Sequence, residues 1–244
     1  MSHSSDVVIV DTYRVSRDPK ATDDTYCGLK IHAKKGLHAF VADTVKKHLP
    51  VGAKLLDLAS GTGALSLRFS DLGYNVTSAD IVFENFRLHD KIAFKLINLN
   101  LPIPDDLRGL FDAVAGVEII EHLENPRKFL RDCALLLKPG GICFLTTPNV
   151  DSSISKAMFV RNGVFKWFQD FNYHEDGHIT PIPLFLFHNI VKENAFSIVS
   201  LDTYSYPPES EGLITKLMAK LICIVAKNRK LDGEILVAVL RKEI

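Results

Sequence analysis

The chain has 244 residues, 47% of them hydrophobic, and its 29 Lys and Arg residues balance its 29 Asp and Glu residues. This length and apolar content suffice for one large α/β domain or two small ones. The neutral balance excludes a bulk positive field that would recruit nucleic acid, although a local basic patch stays open. The four cysteines form no CxxC pair and no regular framework, which is typical of a reducing compartment and predicts a cytoplasmic protein.

Two segments bear on membrane targeting. The first residues lack a charged stretch followed by a long apolar core, so we expect no signal peptide. The apolar run at 213–226 contains Lys216 and Lys220, and it is too short and too charged to span a bilayer. We expect this run to pack on a sheet, with an amphipathic helix lying on a surface as the alternative.

Strand-like and helical patterns alternate along the chain. Apolar, β-branched runs predict strands at 55–58, 75–79, 94–98, 111–117, 141–147, 197–204 and 234–240. Helical spacing predicts helices at 36–49, at 65–72, from 126 to the Pro-Gly-Gly at 139–141, and at 180–196. The pair Asn125-Pro126 is a typical helix start, with an N-cap followed by proline at the first helical position.

Polar residues end the successive strands. The residues are Asp57, Asp80, Asn98, Glu118 and Thr147. The carboxyl ends of parallel strands share one edge of a sheet, and ligands bind there. After the first strand, Gly61 and Gly63 form a turn that opens into a helix, which is where open α/β sheets bind nucleotide-like ligands. A glycine turn alone is also found in ordinary strand–helix connections.

The segment at 149–180 shows helical and strand periodicity less clearly than the preceding segments, and it contains many aromatic residues. Its length predicts a functional segment or small lid, and a local aromatic cluster that packs on the body is the alternative.

Several ordered motifs carry a family resemblance. Asp57-Leu-Ala-Ser-Gly-Thr-Gly63, then Asp80, then Phe111-Asp-Ala-Val-Ala-Gly-Val117 and finally Leu137-Lys-Pro-Gly-Gly141 resemble the class I S-adenosylmethionine (SAM)-dependent methyltransferases over residues 36–200. The resemblance implies an α/β, Rossmann-like fold. Its mostly parallel sheet has seven strands, helices on both faces and an antiparallel last strand. We expect an N-terminal segment at 1–35, a methyltransferase domain at 36–244, and a lid-like insertion at 150–180.

The same resemblance implies SAM as cofactor. The positions implied as cofactor-binding are Asp57, Ala59, Gly61, Gly63, Asp80, Ile81, Asn98, Leu99 and Val117. Asp57 would receive the methionine amine, and Asp80 would accept from the ribose hydroxyls. Ala59 departs from the glycine that is common there and limits φ. A nicotinamide dinucleotide site is the competing interpretation, but Ser66 stands where that motif prefers Gly or Ala.

A second group of polar residues follows the fourth strand of the sheet. Glu118, Glu121 and His122 stand at i, i+3 and i+4, so a helical turn would place them on one face. Two carboxylates and an imidazole suit a divalent ion such as Mg²⁺ or Mn²⁺. The pattern resembles the ubiquinone-biosynthesis O-methyltransferases and the small-RNA 3′-end methyltransferases. In the latter a further histidine completes a metal site, here His178, with His174 in reserve.

The alternative for this group is a site without metal, in which His122 or His178 acts as general base. In either case we expect methyl transfer to a small-molecule hydroxyl, such as a phenol, a sugar or a lipid-linked intermediate. Methylation of an RNA 3′-terminal 2′-hydroxyl is the alternative in the same chemistry, although a neutral chain offers few phosphate contacts. A non-catalytic SAM-binding regulatory protein is the alternative in a different class.

Overall fold

A computed structural model describes residues 25–205, 211–225 and 231–243. The predictions that concern residues 1–24 therefore lie outside the described part of the chain. A short hairpin opens the structure, with strands β1 (Thr25–Tyr26) and β2 (Leu29–Lys30). The strands of the main sheet are β3 (Lys54–Leu58), β4 (Asn75–Asp80), β5 (Ala93–Leu96), β6 (Phe111–Val117), β7 (Leu137–Pro148), β8 (Phe196–Tyr204) and β9 (Ile235–Lys242).

The main sheet has seven strands in the order β5-β4-β3-β6-β7-β9-β8. The strands from β5 to β7 pair in parallel, whereas β9 runs antiparallel to both β7 and β8. The predicted fold class, including the antiparallel last strand, is confirmed. Strand order reverses between β3 and β6, which opens the crevice that ligands use in sheets of this kind.

Six α-helices accompany the sheet in the described ranges. They are α1 (Leu37–His48), α2 (Ala64–Asp71), α3 (Pro126–Leu136), α4 (Ser153–Asn162), α5 (Leu184–Glu193) and α6 (Leu213–Val225). None of the helices in these ranges combines the length and the apolarity that crossing a bilayer requires.

Side chains that alternate along β3 divide the core into two layers. Leu56 belongs to the layer that contains Phe129 of α3 and Phe187 of α5. Leu55 belongs to the opposite layer, with Val41 of α1 and Phe69 of α2. The two-residue period of the strand thus places helices on both faces of the sheet.

The predicted start of α3 is confirmed, but its predicted end is wrong. The side chain of Asn125 accepts a 2.9 Å hydrogen bond from the backbone nitrogen of Lys128, and Pro126 follows at the first helical position. The helix ends at Leu136, before Pro139, and β7 begins at once because Leu137 pairs with Phe111. A register irregularity between Phe111 and Ala113 absorbs the extra residues.

The aromatic segment at 149–180 contains more regular secondary structure than the sequence pattern indicates. It contains α4, which Ser152 caps at its start and Gly163 (φ 76°) ends, and a π-helical turn at Asn172–Asp176. Lys166 anchors the segment, because its Nζ lies 2.5 Å from Glu211 and 3.0 Å from Glu234. The helix predicted at 180–196 is shorter, since it begins only after Pro183.

Candidate active site

The connection between β3 and α2 is a tight turn with three left-handed residues. Ala59 has φ 58°, Gly61 φ 54° and Gly63 φ 90°. A Cβ atom on Gly63 would lie 2.8 Å from the Phe86 ring and 2.9 Å from Leu88, so this glycine is required for packing as well as for φ. Ala59 occupies a strained conformation for a residue with a Cβ, and such strain is commonly found at functional sites.

Asp80 links the end of β4 to this turn. Its carboxylate accepts hydrogen bonds from the backbone nitrogens of Gly61 (2.8 Å) and Val82 (2.9 Å). Burial raises the pKa of Asp80, and these backbone donors oppose that shift. Each carboxylate oxygen has a second lone pair, so Asp80 can still accept from a ligand.

A cavity of about 470 Å³ lies along this edge of the sheet. Among the predicted cofactor residues, those that line it are Ala59, Asp80, Ile81, Asn98 and Leu99. The Oδ1 atom of Asn98 accepts from the backbone nitrogen of Asn100, which fixes the amide beside the cavity. The opposite wall comes from the segment at 150–180 that was predicted to be lid-like, here named the lid-like segment. Its residues in this wall are Tyr173, His174, Asp176, Gly177 and Ile179. The sequence analysis did not assign those wall residues, apart from His174, to any site.

The structure places Asp57, Gly61, Gly63 and Val117 outside the residues that line this cavity. Gly61 and Gly63 form the adjoining turn, and Val117 packs against the core layer of α1 and α2. Asp57 is buried beneath the turn, where it accepts a 2.5 Å hydrogen bond from Ser66, which in turn accepts from Ser78. Burial raises the pKa of Asp57 to about 7, although the Ser66 hydrogen bond opposes the shift.

Ser60 lies in the glycine turn, and the sequence analysis did not assign it to the site. Its Oγ atom is buried and has no hydrogen-bond partner among the described residues. A buried hydroxyl without a partner is unfavourable, so a ligand that supplies one would be stabilised here.

A second polar group lies just beyond β6, on the 3₁₀ turn Ile120–His122. Glu121, His122 and His178 each present one ligand atom, and these atoms all lie within 4.8 Å of one another. The two imidazole rings meet edge to face, with centroids 4.8 Å apart. The structure therefore brings together three of the four residues that the sequence predicts as metal ligands.

Backbone carbonyls orient both histidines. Nδ1 of His122 lies 3.2 Å from the Gly177 oxygen, and Nδ1 of His178 lies 2.6 Å from the Trp167 oxygen. A carbonyl only accepts, so each ring donates from Nδ1 and carries its lone pair on Nε2. Carbonyl contacts of this kind orient metal-binding histidines in general.

Burial disfavours charge throughout this group. It raises the pKa of Glu121 well above its ordinary value and lowers the pKa of His122 to about 3. Oε1 of Glu121 is buried with no hydrogen-bond partner among the described residues, whereas Oε2 accepts from Thr147 at 3.1 Å. A carboxylate oxygen without a partner beside two imidazole nitrogens fits a cation.

Glu118, the fourth predicted ligand, is not part of this group. Its Oε1 atom accepts a 2.8 Å hydrogen bond from Thr146, and its backbone has φ 51°. Burial raises the pKa of Glu118 to about 7, whereas the Thr146 hydrogen bond and nearby Lys34 oppose the shift.

Lys34 is a neighbour of the site that the sequence analysis did not assign to it. Its Nζ atom lies 3.7 Å from the centroid of the Trp167 ring, and its charge lowers the pKa of both Glu118 and His178. The contact joins the segment before α1 to the lid-like segment, a long-range pairing that no local motif indicates.

Comparison with known proteins identifies the family. The family model described as "Methyltransferase domain" matches residues 30–201, which is more than half of the chain. The chain belongs to this methyltransferase family. The predicted resemblance to the SAM-dependent methyltransferases is thereby confirmed.

Curated methyltransferases with sequence similarity include several named ubiquinone biosynthesis O-methyltransferase. The protein from Xanthomonas axonopodis pv. citri is 39% identical over 107 residues, covering 41% of this chain and 45% of its own length. The protein from Caulobacter vibrioides is 35% identical over 130 residues, covering 50% of this chain and 52% of its own length. The chain thus matches about half the length of these relatives.

Solved methyltransferase structures share the fold. The 1,6-didemethyltoxoflavin-N1-methyltransferase of Burkholderia thailandensis, which was solved with S-adenosylhomocysteine, has a TM-score of 0.60 at 13% identity, covering 98% of this chain and 87% of its own. A SAM-dependent methyltransferase from Archaeoglobus fulgidus has a TM-score of 0.55 at 16% identity, covering 84% and 94%. At these identities the similarity shows the fold alone.

Proposed function

We propose that the protein transfers a methyl group from SAM to a hydroxyl oxygen of a small molecule. The observation that carries the proposal is the position of Asp80, which is bonded to the glycine turn and lines the cavity between the strand ends and the lid-like segment. A carboxylate at this point can accept from the two hydroxyls of a ribose.

The chain offers suitable groups for each part of the cofactor. Asp80 would hold the ribose, Ile81 would pack on the adenine, and the Asn98 amide would hydrogen-bond the adenine edge. The Ser60 hydroxyl, which is buried and has no hydrogen-bond partner in the described ranges, would bond the polar end of the ligand. Asp57 would support the turn from below through Ser66 rather than contact the ligand directly. When bound, SAM supplies a methyl group activated by the sulfonium.

The acceptor would lie next to the two histidines. Without a metal, the Nε2 lone pair of His122 or His178 can take the proton of the hydroxyl, and His178 at the lid-like segment is the base that we favour in that case. Trp167 and its neighbours would exclude water from the reacting oxygen. Most of the acceleration would come from positioning the two reactants.

A divalent cation fits the group formed by Glu121, His122 and His178. Two imidazole nitrogens and one carboxylate oxygen favour a transition metal such as Mn²⁺ over Mg²⁺, which prefers oxygen ligands. A cation bound there would supply a Lewis acid beside the acceptor. Glu118 would stay outside the first coordination sphere, since Thr146 holds its carboxylate.

The acceptor that we favour is a phenol. The relatives named ubiquinone biosynthesis O-methyltransferase support this choice, and their similarity covers about half of each chain. Sugar and lipid-linked hydroxyls remain alternatives. The equal numbers of acidic and basic residues argue against an RNA 3′ end. No disulfide joins the described cysteines, which supports a reducing compartment such as the cytoplasm.

The test is a transfer assay with radiolabelled SAM and a panel of catechols, sugars and short RNAs, with and without Mn²⁺. We expect label on the oxygen of a phenol, identified by mass spectrometry of the product. His178→Gln should lose transfer but keep the calorimetric affinity for S-adenosylhomocysteine, because the ring lies outside the cofactor cavity. Label on nitrogen or carbon, or no transfer to any hydroxyl, would contradict the proposal.

A further inference from the structure

Helix α6 exposes an apolar stripe. Its members have relative exposures between 58% and 84%: Leu213, Ile214, Leu217, Leu221, Ile224 and Val225. At 100° per residue these positions fall within one third of the helix circumference, so they form a continuous ridge. Large apolar side chains exposed as a group, rather than singly, mark an interaction surface.

The opposite face of α6 fixes the helix to the body of the protein. Thr215 and Ala219 are buried on that face, and the guanidinium of Arg161 on α4 donates a 2.9 Å hydrogen bond to the Thr215 hydroxyl. Phe159 and Val160, which precede Arg161, are themselves 46% and 69% exposed. The stripe is therefore the outer face of a helix whose inner face packs on the protein. The exposed residues of α4 add apolar surface near the start of α6.

The charged residues within α6 have one sign. Residues 212–231 contain five basic residues and no acidic one. Lys216 and Lys220 belong to this group, are exposed, and lie beside the stripe on the helix. A helix with an exposed apolar face flanked by lysines is typical of segments that lie in the interface of an anionic membrane.

We propose that α6 docks the protein on an anionic lipid bilayer, with the stripe inserted among the acyl chains and the lysines at the headgroups. A second copy of the chain is a poorer partner, because two such faces would bring like charges together without an acid in residues 212–231 to pair them. The proposal does not depend on the identity of the methyl acceptor.

The test is co-sedimentation of the full chain with vesicles of phosphatidylcholine alone or mixed with phosphatidylglycerol, without SAM or acceptor. We expect binding to the mixed vesicles only, weakened by salt. Leu217→Asp/Leu221→Asp should reduce the bound fraction about tenfold, because two inserted side chains become charged. Lys216→Glu/Lys220→Glu should reduce it by a similar factor on mixed vesicles.

A matched control replaces two exposed apolar residues elsewhere, Val51 and Leu96, which are 76% and 65% exposed. Val51→Asp/Leu96→Asp should bind vesicles like the wild type, and circular dichroism should show that all variants are folded. The proposal is overturned by equal losses in the control and the stripe variant, or by no binding to the mixed vesicles. It is also overturned by a wild-type dimer that the stripe variant converts to monomer, since the stripe would then be a contact between copies.

Discussion

The carboxylate of Asp80 accepts a 2.8 Å hydrogen bond from the backbone nitrogen of Gly61, so one side chain joins the ends of β4 and β3 at the cavity. The same carboxylate lines the cavity. Asp80 therefore shapes the turn and presents an acceptor to the ligand.

Replacing Asp80 should weaken cofactor binding. We expect Asp80→Ala to lower the affinity for S-adenosylhomocysteine by about tenfold to a hundredfold in isothermal titration calorimetry. The reason is that hydrogen bonds to a charged group are worth about 1.5–3 kcal/mol. The control is Asp105→Asn, which changes an exposed aspartate far from Asp80 along the chain. This variant should bind S-adenosylhomocysteine normally. Unchanged affinity in Asp80→Ala would remove the proposed ribose contact.

The glycine turn should tolerate no side chain at Gly63. We expect Gly63→Ala to lower the free energy of unfolding by more than the roughly 1 kcal/mol that a left-handed alanine costs, because its Cβ would meet Phe86 and Leu88. Gly109 also has positive φ, but nothing lies within 4 Å of a Cβ there. Gly109→Ala should thus show only the backbone cost in urea unfolding, and equal losses in the two variants would refute the packing argument.

Burial of Asp57 should make stability depend on pH. Its pKa rises from 3.8 to about 7 on folding, so its ionisation opposes folding increasingly as the pH rises through that window. Asp57→Asn stays neutral and should therefore be more stable than the wild type at about pH 8, by roughly 4 kcal/mol, with the difference fading towards pH 4. Thermal unfolding across this range measures it.

The control for this pH effect is Asn162→Ala, which changes an exposed side chain that does not titrate, at the end of α4. Its difference from the wild type should not vary with pH. A constant difference for Asp57→Asn as well would show that Asp57 is not the group responsible.

The metal proposal predicts binding that can be measured without turnover. Electron paramagnetic resonance should show Mn²⁺ held by the wild-type protein, and Glu121→Gln or His178→Ala should weaken that binding at least tenfold. Glu84→Gln changes an exposed carboxyl away from the group and should bind Mn²⁺ normally. If the wild type retains no Mn²⁺ in this measurement, the site is the metal-free alternative.

Local sequence signals were sufficient for much of the fold. The apolar runs before Asp57 and Asp80 correspond to β3 and β4, and the Asn125-Pro126 pair marks the start of α3. Capping and strand periodicity act over a few residues, so they can be read from a short stretch of sequence. The end of α3 could not be placed in this way, because the pairing of Leu137 with Phe111 decides it.

The site was less predictable than the fold. Glu118 shares one face of an ideal helical turn with Glu121, but the chain there has φ 51° and a 3₁₀ turn, so Glu118 contacts Thr146 instead. The contact of Lys34 with Trp167 joins residues far apart in sequence. The burial of the Ser60 hydroxyl can be seen only in the three-dimensional structure. Such features depend on tertiary packing rather than on spacing.

A crystal structure with bound S-adenosylhomocysteine tests the central claim most directly. We expect the ribose hydroxyls within hydrogen-bond distance of the Asp80 carboxylate and the adenine between Ile81 and Asn98, in the cavity of about 470 Å³. Density for the ligand elsewhere, or an empty cavity at saturating ligand, would contradict the account.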